Sequence, residues 1–245
     1  MVKETFDLTF IIENMPKLLG ALPQTIIITG LSLIFGWLTG LASAIGKVSG
    51  PKWLKVLLRI LTDIIRGIPT VVLLYIVYFG LPTLLKDTIG VNISSWSKQT
   101  FVVLALTIEL GTSSSEMFRS AYNSINKGQL EAAHALGYTR FQRFAHVILP
   151  QGVFVILPNM GSAVLAIIQA TALVYTLGIF DVLGKARQID TNVTHIKTFE
   201  MYLAAALIYW VLALIVGWIF KLIENVMGRG NRGISSQNKV RKAVA

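Results

Sequence analysis

TIIITGLSLIFGWLTGLASAI, residues 25–45, runs for 21 positions without one charged side chain. Lipid offers the backbone no hydrogen-bond partners. An apolar run of about 20 residues is therefore stable there as a helix that satisfies its own amides. Pro23 and Lys47 bound the run. Four further stretches read the same way: roughly Leu61 to Leu81, Phe101 to Tyr122, Phe154 to Phe180 and Met201 to Ile223. The second carries Asp63, Arg66 and Pro69 in its first half. The third is the most polar, with Glu109, Gly111, Thr112, Ser113, Ser114, Ser115 and Glu116. The fourth has Pro158 in its first turns, where a missing N–H is tolerated. The expected fold class is an all-α membrane protein with five transmembrane helices.

Composition agrees. The 245 residues are 54% hydrophobic and 14% charged, against about 25% charged in soluble domains. The absence of cysteine excludes disulfides, thiolate metal sites and cysteine catalysis. A net charge of +10 raises the question of nucleic acid. The charges lie between apolar runs rather than on one face, so topology and membrane lipid account for them better and no nucleic-acid partner is expected.

The basic residues sort by side. Lys47, Lys52, Lys55 and Arg59 follow the first span, and Arg119, Lys127, Arg140 and Arg143 follow the third. Lys221, Arg229, Arg232, Lys239, Arg241 and Lys242 lie at the end of the fifth span and beyond it. These fourteen oppose seven on the other side. The positive-inside rule places the N-terminus outside and the C-terminus in the cytoplasm. Residues 1–24 read as an extracellular or interfacial segment. Leu8, Ile11, Ile12, Met15, Leu18, Leu19 and Leu22 recur at helical spacing, and the mixed-charge start is unlike a cleaved signal. The membrane domain is 25–228, with its longest cytoplasmic loop at 123–150, and 229–245 is expected to be a disordered basic tail. No internal repeat is visible.

The loop reads Gly128-Gln129-Leu130-Glu131-Ala132-Ala133-His134-Ala135-Leu136-Gly137. Its composition favours a helix that Gly137 ends. A second short helix is expected from Thr139 to Val147, closed before Pro150. Leu130, Ala133, Leu136 and Phe141 could form one apolar face.

Glu131-Ala132-Ala133, then Gly137, then Val147-Ile148-Leu149-Pro150 resembles the EAA loop of ATP-binding-cassette (ABC) importer permeases. The family more often has Ile at the place of Val147. The flanks are similar to the polar amino-acid uptake branch: Leu18-Leu19-Gly20 with Thr25, Arg66-Gly67-Ile68-Pro69-Thr70, Tyr78-Phe79-Gly80-Leu81-Pro82 and Glu116-Met117-Phe118-Arg119. The likeness runs from about Pro16 to Glu224. It implies a five-span type I importer half in the bacterial cytoplasmic membrane. It also implies a second permease subunit (an identical copy or a paralogue), an ATPase dimer and an extracellular solute-binding protein. ATP and Mg²⁺ would sit on the ATPase, with no cofactor on this chain. The resemblance assigns ATPase coupling to Glu131, Ala132, Ala133, Gly137, Tyr138 and Phe141. The cargo it implies is a polar or charged amino acid, cystine- or arginine-like among the candidates.

Ionisable groups at membrane depth are costly and tend to face a bundle interior. Asp63 and Arg66 share a helix face, as do Glu109 and Glu116, with Ser113 between them. Together with Gln169 of the fourth span they could line a solute path, carboxylates meeting an amino or guanidinium group and Arg66 a carboxylate. They could instead pair internally, Arg66 with Glu116 for example. Gly111-Thr112-Ser113-Ser114-Ser115-Glu116 and Gln169-Ala170-Thr171-Ala172-Leu173 depart from the family pattern, which suggests a reshaped pocket. No enzymatic site is expected. His134, His146 and His195 are not set as a metal cluster, and no phosphate loop occurs. Two rival readings are a membrane scaffold or sensor that docks an ATPase without transporting, and a secondary transporter.

Overall fold

The computed structural model describes residues 6–229. Helices α1 (Leu8–Leu19), α2 (Leu22–Ser49) and α3 (Lys52–Arg66) lead into α4 (Thr70–Ile89) and α5 (Lys98–Ser124). Then come α6 (Lys127–Ala135), α7 (Arg140–Leu177), α8 (Val182–Asn192) and α9 (Thr198–Arg229). Five of these, α2, α4, α5, α7 and α9, are long and apolar enough to cross a membrane. The basic tail expected from residue 229 lies outside the described residues, apart from Arg229 itself.

Helix α2 packs along α5 through small residues. Ser32, Gly36, Gly40 and Ala44 recur every four positions and all are buried. A Cβ on Gly40 would come within 2.8 Å of Ser114 Cβ, and one on Gly111 within 2.5 Å of Thr39 Oγ1. Lipid tails are as apolar as leucine, so helices associate there by close van der Waals packing, which small residues permit. Toward the other end of α5, Val102, Leu106 and Leu110 join Ile28, Leu74 and Val174 in the main apolar cluster. A second cluster joins Leu18 of α1 to Val182 of α8 and to Met201 and Ala204 of α9.

Span two differs from the sequence expectation. It is Thr70–Ile89 rather than Leu61–Leu81. Asp63 and Arg66 belong to α3, a separate helix of which only Thr62 is buried. Gly67 ends α3, and Pro69 stands just before α4 in an extended conformation. Proline disfavours a helical residue before it, and its missing N–H is harmless at a helix start, so the chain breaks here.

Span four also differs. No helix closes before Pro150. Helix α7 runs from Arg140 through Pro150 to Leu177, which places Pro158 inside the helix rather than in its first turns. The helix passes Pro150 by a π turn at Phe144–Ile148, where Leu149 N–H donates to Phe144 O five residues back. Span two repeats the device at Ile76–Gly80, with Leu81 N–H donating to Ile76 O just before Pro82. A proline ring clashes with the carbonyl four residues back, and one widened turn relieves that clash without ending the helix.

Within the N-terminal segment, Leu8–Leu19 form helix α1. Asp7 caps it, accepting from Phe10 N–H at 3.1 Å, a bond that holds the carboxyl below its ordinary pKa. Ile11 and Leu18 turn inward, while Leu8, Ile12 and Leu19 are exposed. Lys197 Nζ reaches Glu200 at 3.2 Å and Asp7 at 3.5 Å, holding α1 to the start of α9. Trp210 and Trp218 are exposed, whereas Trp37 packs partly against the main cluster.

Candidate functional site

Helix α5 carries two carboxylates with different surroundings. Glu109 Oε1 accepts a hydrogen bond from Thr70 Oγ1 at 2.7 Å. Thr70 opens α4, so the break at Gly67-Ile68-Pro69 is what brings this hydroxyl to α5. Glu109 Oε2 is shielded from solvent and has no protein partner. A shielded carboxylate oxygen without a donor is uncommon, and it can accept from an ammonium or guanidinium group.

Glu116, two turns along the same helix, is fully engaged. Its Oε1 lies 2.8 Å from Lys47 Nζ and its Oε2 lies 2.7 Å from Arg119. The Lys47 side chain is only 4% exposed. Its ammonium donates to Thr62 Oγ1 at 2.6 Å, Ser115 Oγ at 2.7 Å and Glu116 Oε1 at 2.8 Å. That uses all three N–H groups and joins α2, α3 and α5. Sequence reading counted Lys47 as a loop charge and missed this role. The available signal was its place three residues after Ala44, on the same face as the small-residue stripe.

Among the described residues none of the remaining candidates is hydrogen-bonded to the Glu109 side chain, whose one partner is Thr70. Asp63, Arg66, Ser113 and Gln169 are all exposed. Among the described residues neither Asp63 nor Arg66 forms an ion pair, and the alternative pairing of Arg66 with Glu116 is not made.

The connection between spans three and four is ordered. Asn126 caps α6 by accepting from Gly128 N–H at 2.8 Å. Gly137 adopts φ +80°, the left-handed region that glycine enters without penalty. Tyr138 N–H donates to Ala133 O and Gly137 N–H to His134 O, closing the helix in a Schellman motif. Thr139 and Gln142 then form a reciprocal capping box at the start of α7. The expected apolar face divides. Ala133 is buried and Leu130 half-buried, whereas Leu136 and Phe141 are 76% and 77% exposed. Glu131, Ala132 and Tyr138 are exposed beside them.

The opposite end holds two further polar clusters. Asp181 is buried and accepts from Tyr209 Oη at 2.6 Å and Gly184 N–H at 2.8 Å. Burial pushes its carboxyl pKa up. Asp190 is also buried and meets His195 Nδ1 at 2.9 Å and Thr198 Oγ1 at 2.9 Å. Thr194 and His195 both have positive φ, so this turn is held against its local preference. Among the described residues no group of three or more His, Cys, Asp or Glu could hold a metal.

Comparison with known proteins gives the family. Residues 32–229 match the family described as binding-protein-dependent transport system inner membrane component. The chain is 32% identical to the probable amino-acid permease protein YxeN of Bacillus subtilis (strain 168) over 228 residues, 93% of this chain and 99% of that protein. It is 30% identical to the L-cystine transport system permease protein TcyL of the same organism, over 91% of this chain and 92% of the relative. A crystal structure of an amino acid ABC transporter with histidines matches with a TM-score of 0.78 at 30% identity, covering 90% of this chain and 99% of that one. This chain therefore belongs to the binding-protein-dependent transport system inner membrane component family, as a multi-pass permease subunit of an ABC importer whose ATPase is a separate subunit.

Proposed function

We propose that this chain is one half of a paired permease that imports a polar or charged amino acid, with Glu109 as the carboxylate that meets the cargo's cationic group. One observation carries the reading: the shielded, unpartnered Oε2 of Glu109 beside the break before span two. A membrane protein rarely keeps such a group without a functional partner. The amino-acid permeases it resembles support the cargo class. Asp63, Arg66, Ser113 and Gln169 are exposed polar groups on a largely apolar chain, and a second permease subunit would close them into a path. Glu116 takes a positioning role in place of the direct contact first assigned to it, because Lys47 and Arg119 occupy both its oxygens.

The orientation proposed from the basic excess puts the α5–α7 connection and the C-terminus in the cytoplasm. There the exposed Leu136 and Phe141 would enter a groove on the ATPase dimer, with Glu131, Ala132, Ala133, Gly137 and Tyr138 setting the shape of the contact. A solute-binding protein would deliver cargo from outside. ATP with Mg²⁺ on the partner would close the ATPase dimer, and α6 would pass that motion to spans three and four. The energy source is the partner. This chain supplies different cargo affinities in the inward- and outward-facing states, without which no net movement results.

The test is reconstitution in proteoliposomes with the cognate ATPase and binding protein, followed by uptake of labelled arginine, cystine and glutamine. Uptake of one of them that requires ATP is the expected result. Accumulation without ATP makes the chain a secondary transporter. ATP hydrolysis with no solute moved makes it a scaffold.

A further inference from the structure

A cleft of about 720 Å³ opens between α2, α5 and α7, beside α6. Leu41 and Ile45 of α2, Phe118 of α5 and Ile156 of α7 make it apolar, and Arg140 and Arg143 stand on its lining. Among the described residues no carboxylate lines it. Arg143 is half-buried, and its Nε is shielded from solvent with no hydrogen-bond partner. A guanidinium N–H kept from water and left unpaired is unfavourable unless an anion completes it. An apolar trough with a double guanidinium fits one amphiphile, in which an acyl chain and an anionic headgroup belong to one molecule.

We propose that this cleft is a site for an anionic phospholipid. An acyl chain would lie against Ile45, Phe118 and Ile156, and the headgroup phosphate would accept from Arg143 and Arg140. The charge matches, since basic pockets between spanning helices bind acidic headgroups and Arg presents paired donors to phosphate. The site is separate from the candidate cargo site, because Phe118 lies beyond the engaged Glu116 while Glu109 lies two turns before it. The lipid would join α7, close behind α6, to α2 and α5. Its removal would loosen the connection that meets the ATPase. The proposal rests on the reading that this end of the bundle is cytoplasmic.

The experiment uses the permease–ATPase complex in nanodiscs of equimolar phosphatidylglycerol and phosphatidylcholine, each in turn carrying a photoreactive acyl chain. Cross-linked peptides are mapped by mass spectrometry. Phosphatidylglycerol is expected to label the Phe118–Tyr122 and Val153–Ile156 segments in preference to phosphatidylcholine. Arg143→Gln should lower that preference about tenfold, the loss of one charge-assisted contact, and Arg143→Lys should retain part of it. Ile156→Trp should abolish labelling with both arginines in place, so the proposal stays testable if Arg143→Gln does not fold. Equal labelling by the two lipids overturns it, as does labelling confined to other segments. Displacement by inorganic phosphate would make this a free-anion site and overturns the lipid assignment. Labelling present in the permease alone but lost in the complex would make the cleft an ATPase seat, with the same consequence. Labelling reads lipid contact and not solute movement, so its failure is distinct from failure of the uptake experiment.

Discussion

Lys47 Nζ lies 2.8 Å from Glu116 Oε1, across 69 positions of sequence, and the pair fastens the end of α2 to α5. Removing the Lys47 ammonium leaves Thr62 Oγ1, Ser115 Oγ and Glu116 Oε1 without their donor, while Arg119 still pairs Glu116 Oε2, and losing the charge-assisted bond costs about 1.5–3 kcal/mol. Lys47→Met should therefore lower the melting temperature of the purified complex and reduce ATP-driven uptake. Lys47→Met with Glu116→Gln should recover part of the loss. A double-mutant cycle read from thermal melts checks this, and strictly additive losses would remove the coupling.

The α2–α5 contact depends on the absence of side chains. Gly40→Val should destabilise the chain by about 1–3 kcal/mol, as overpacking does, because its Cβ would meet Ser114 Cβ at 2.8 Å. Gly36→Val should behave alike, against Leu110 Cδ2 at 2.7 Å. Gly30→Ala is the control: nothing lies within 4 Å of its Cβ, and alanine is favoured over glycine in a helix by about 1 kcal/mol. Folded yield on size-exclusion chromatography separates the three.

Glu109→Gln should raise KM for a cationic or zwitterionic amino acid about tenfold, the scale of one charge-assisted bond. The amount of protein in the membrane should not change. Thr70→Val should have a smaller effect in the same direction, because it orients Glu109 through a 2.7 Å bond. Uptake kinetics in proteoliposomes decide the matter. Unchanged KM in Glu109→Gln would take this residue out of the cargo site.

Leu136 and Phe141 are exposed by more than three quarters, so truncating them removes little packing within the chain. Leu136→Ala with Phe141→Ala should leave the melting temperature of the isolated permease unchanged. It should weaken ATPase binding by about 2 kcal/mol or more if they are anchor residues. Copurification and ATPase stimulation are the readouts. Gly137→Ala, by contrast, should strain the turn by about 1–2 kcal/mol, since φ is +80° there.

Five membrane helices were legible because the signal is local. A run of about 20 apolar residues is readable without knowing its neighbours. The turn at Gly137 was legible for the same reason, since a helix end in the left-handed region favours glycine. Break points near proline were harder. Pro69 separates two helices, while Pro82 and Pro150 are each absorbed by a π turn, and the residue alone does not distinguish these outcomes. Asp63 and Arg66 accordingly moved from the second span to the helix before it.

By itself, the sequence determined that the chain is a helical membrane protein with an ordered loop between its third and fourth spans. Each of those properties follows from residues close together along the chain. Only the tertiary structure decided which charges pair. Lys47, read as a loop cation, is buried on Glu116, whereas Glu109, seven positions earlier, keeps one oxygen without a donor. That difference is set by how α2, α3 and α4 register against α5. The register in turn comes from glycines that let two backbones touch, an interaction between segments about 70 residues apart that no local pattern encodes.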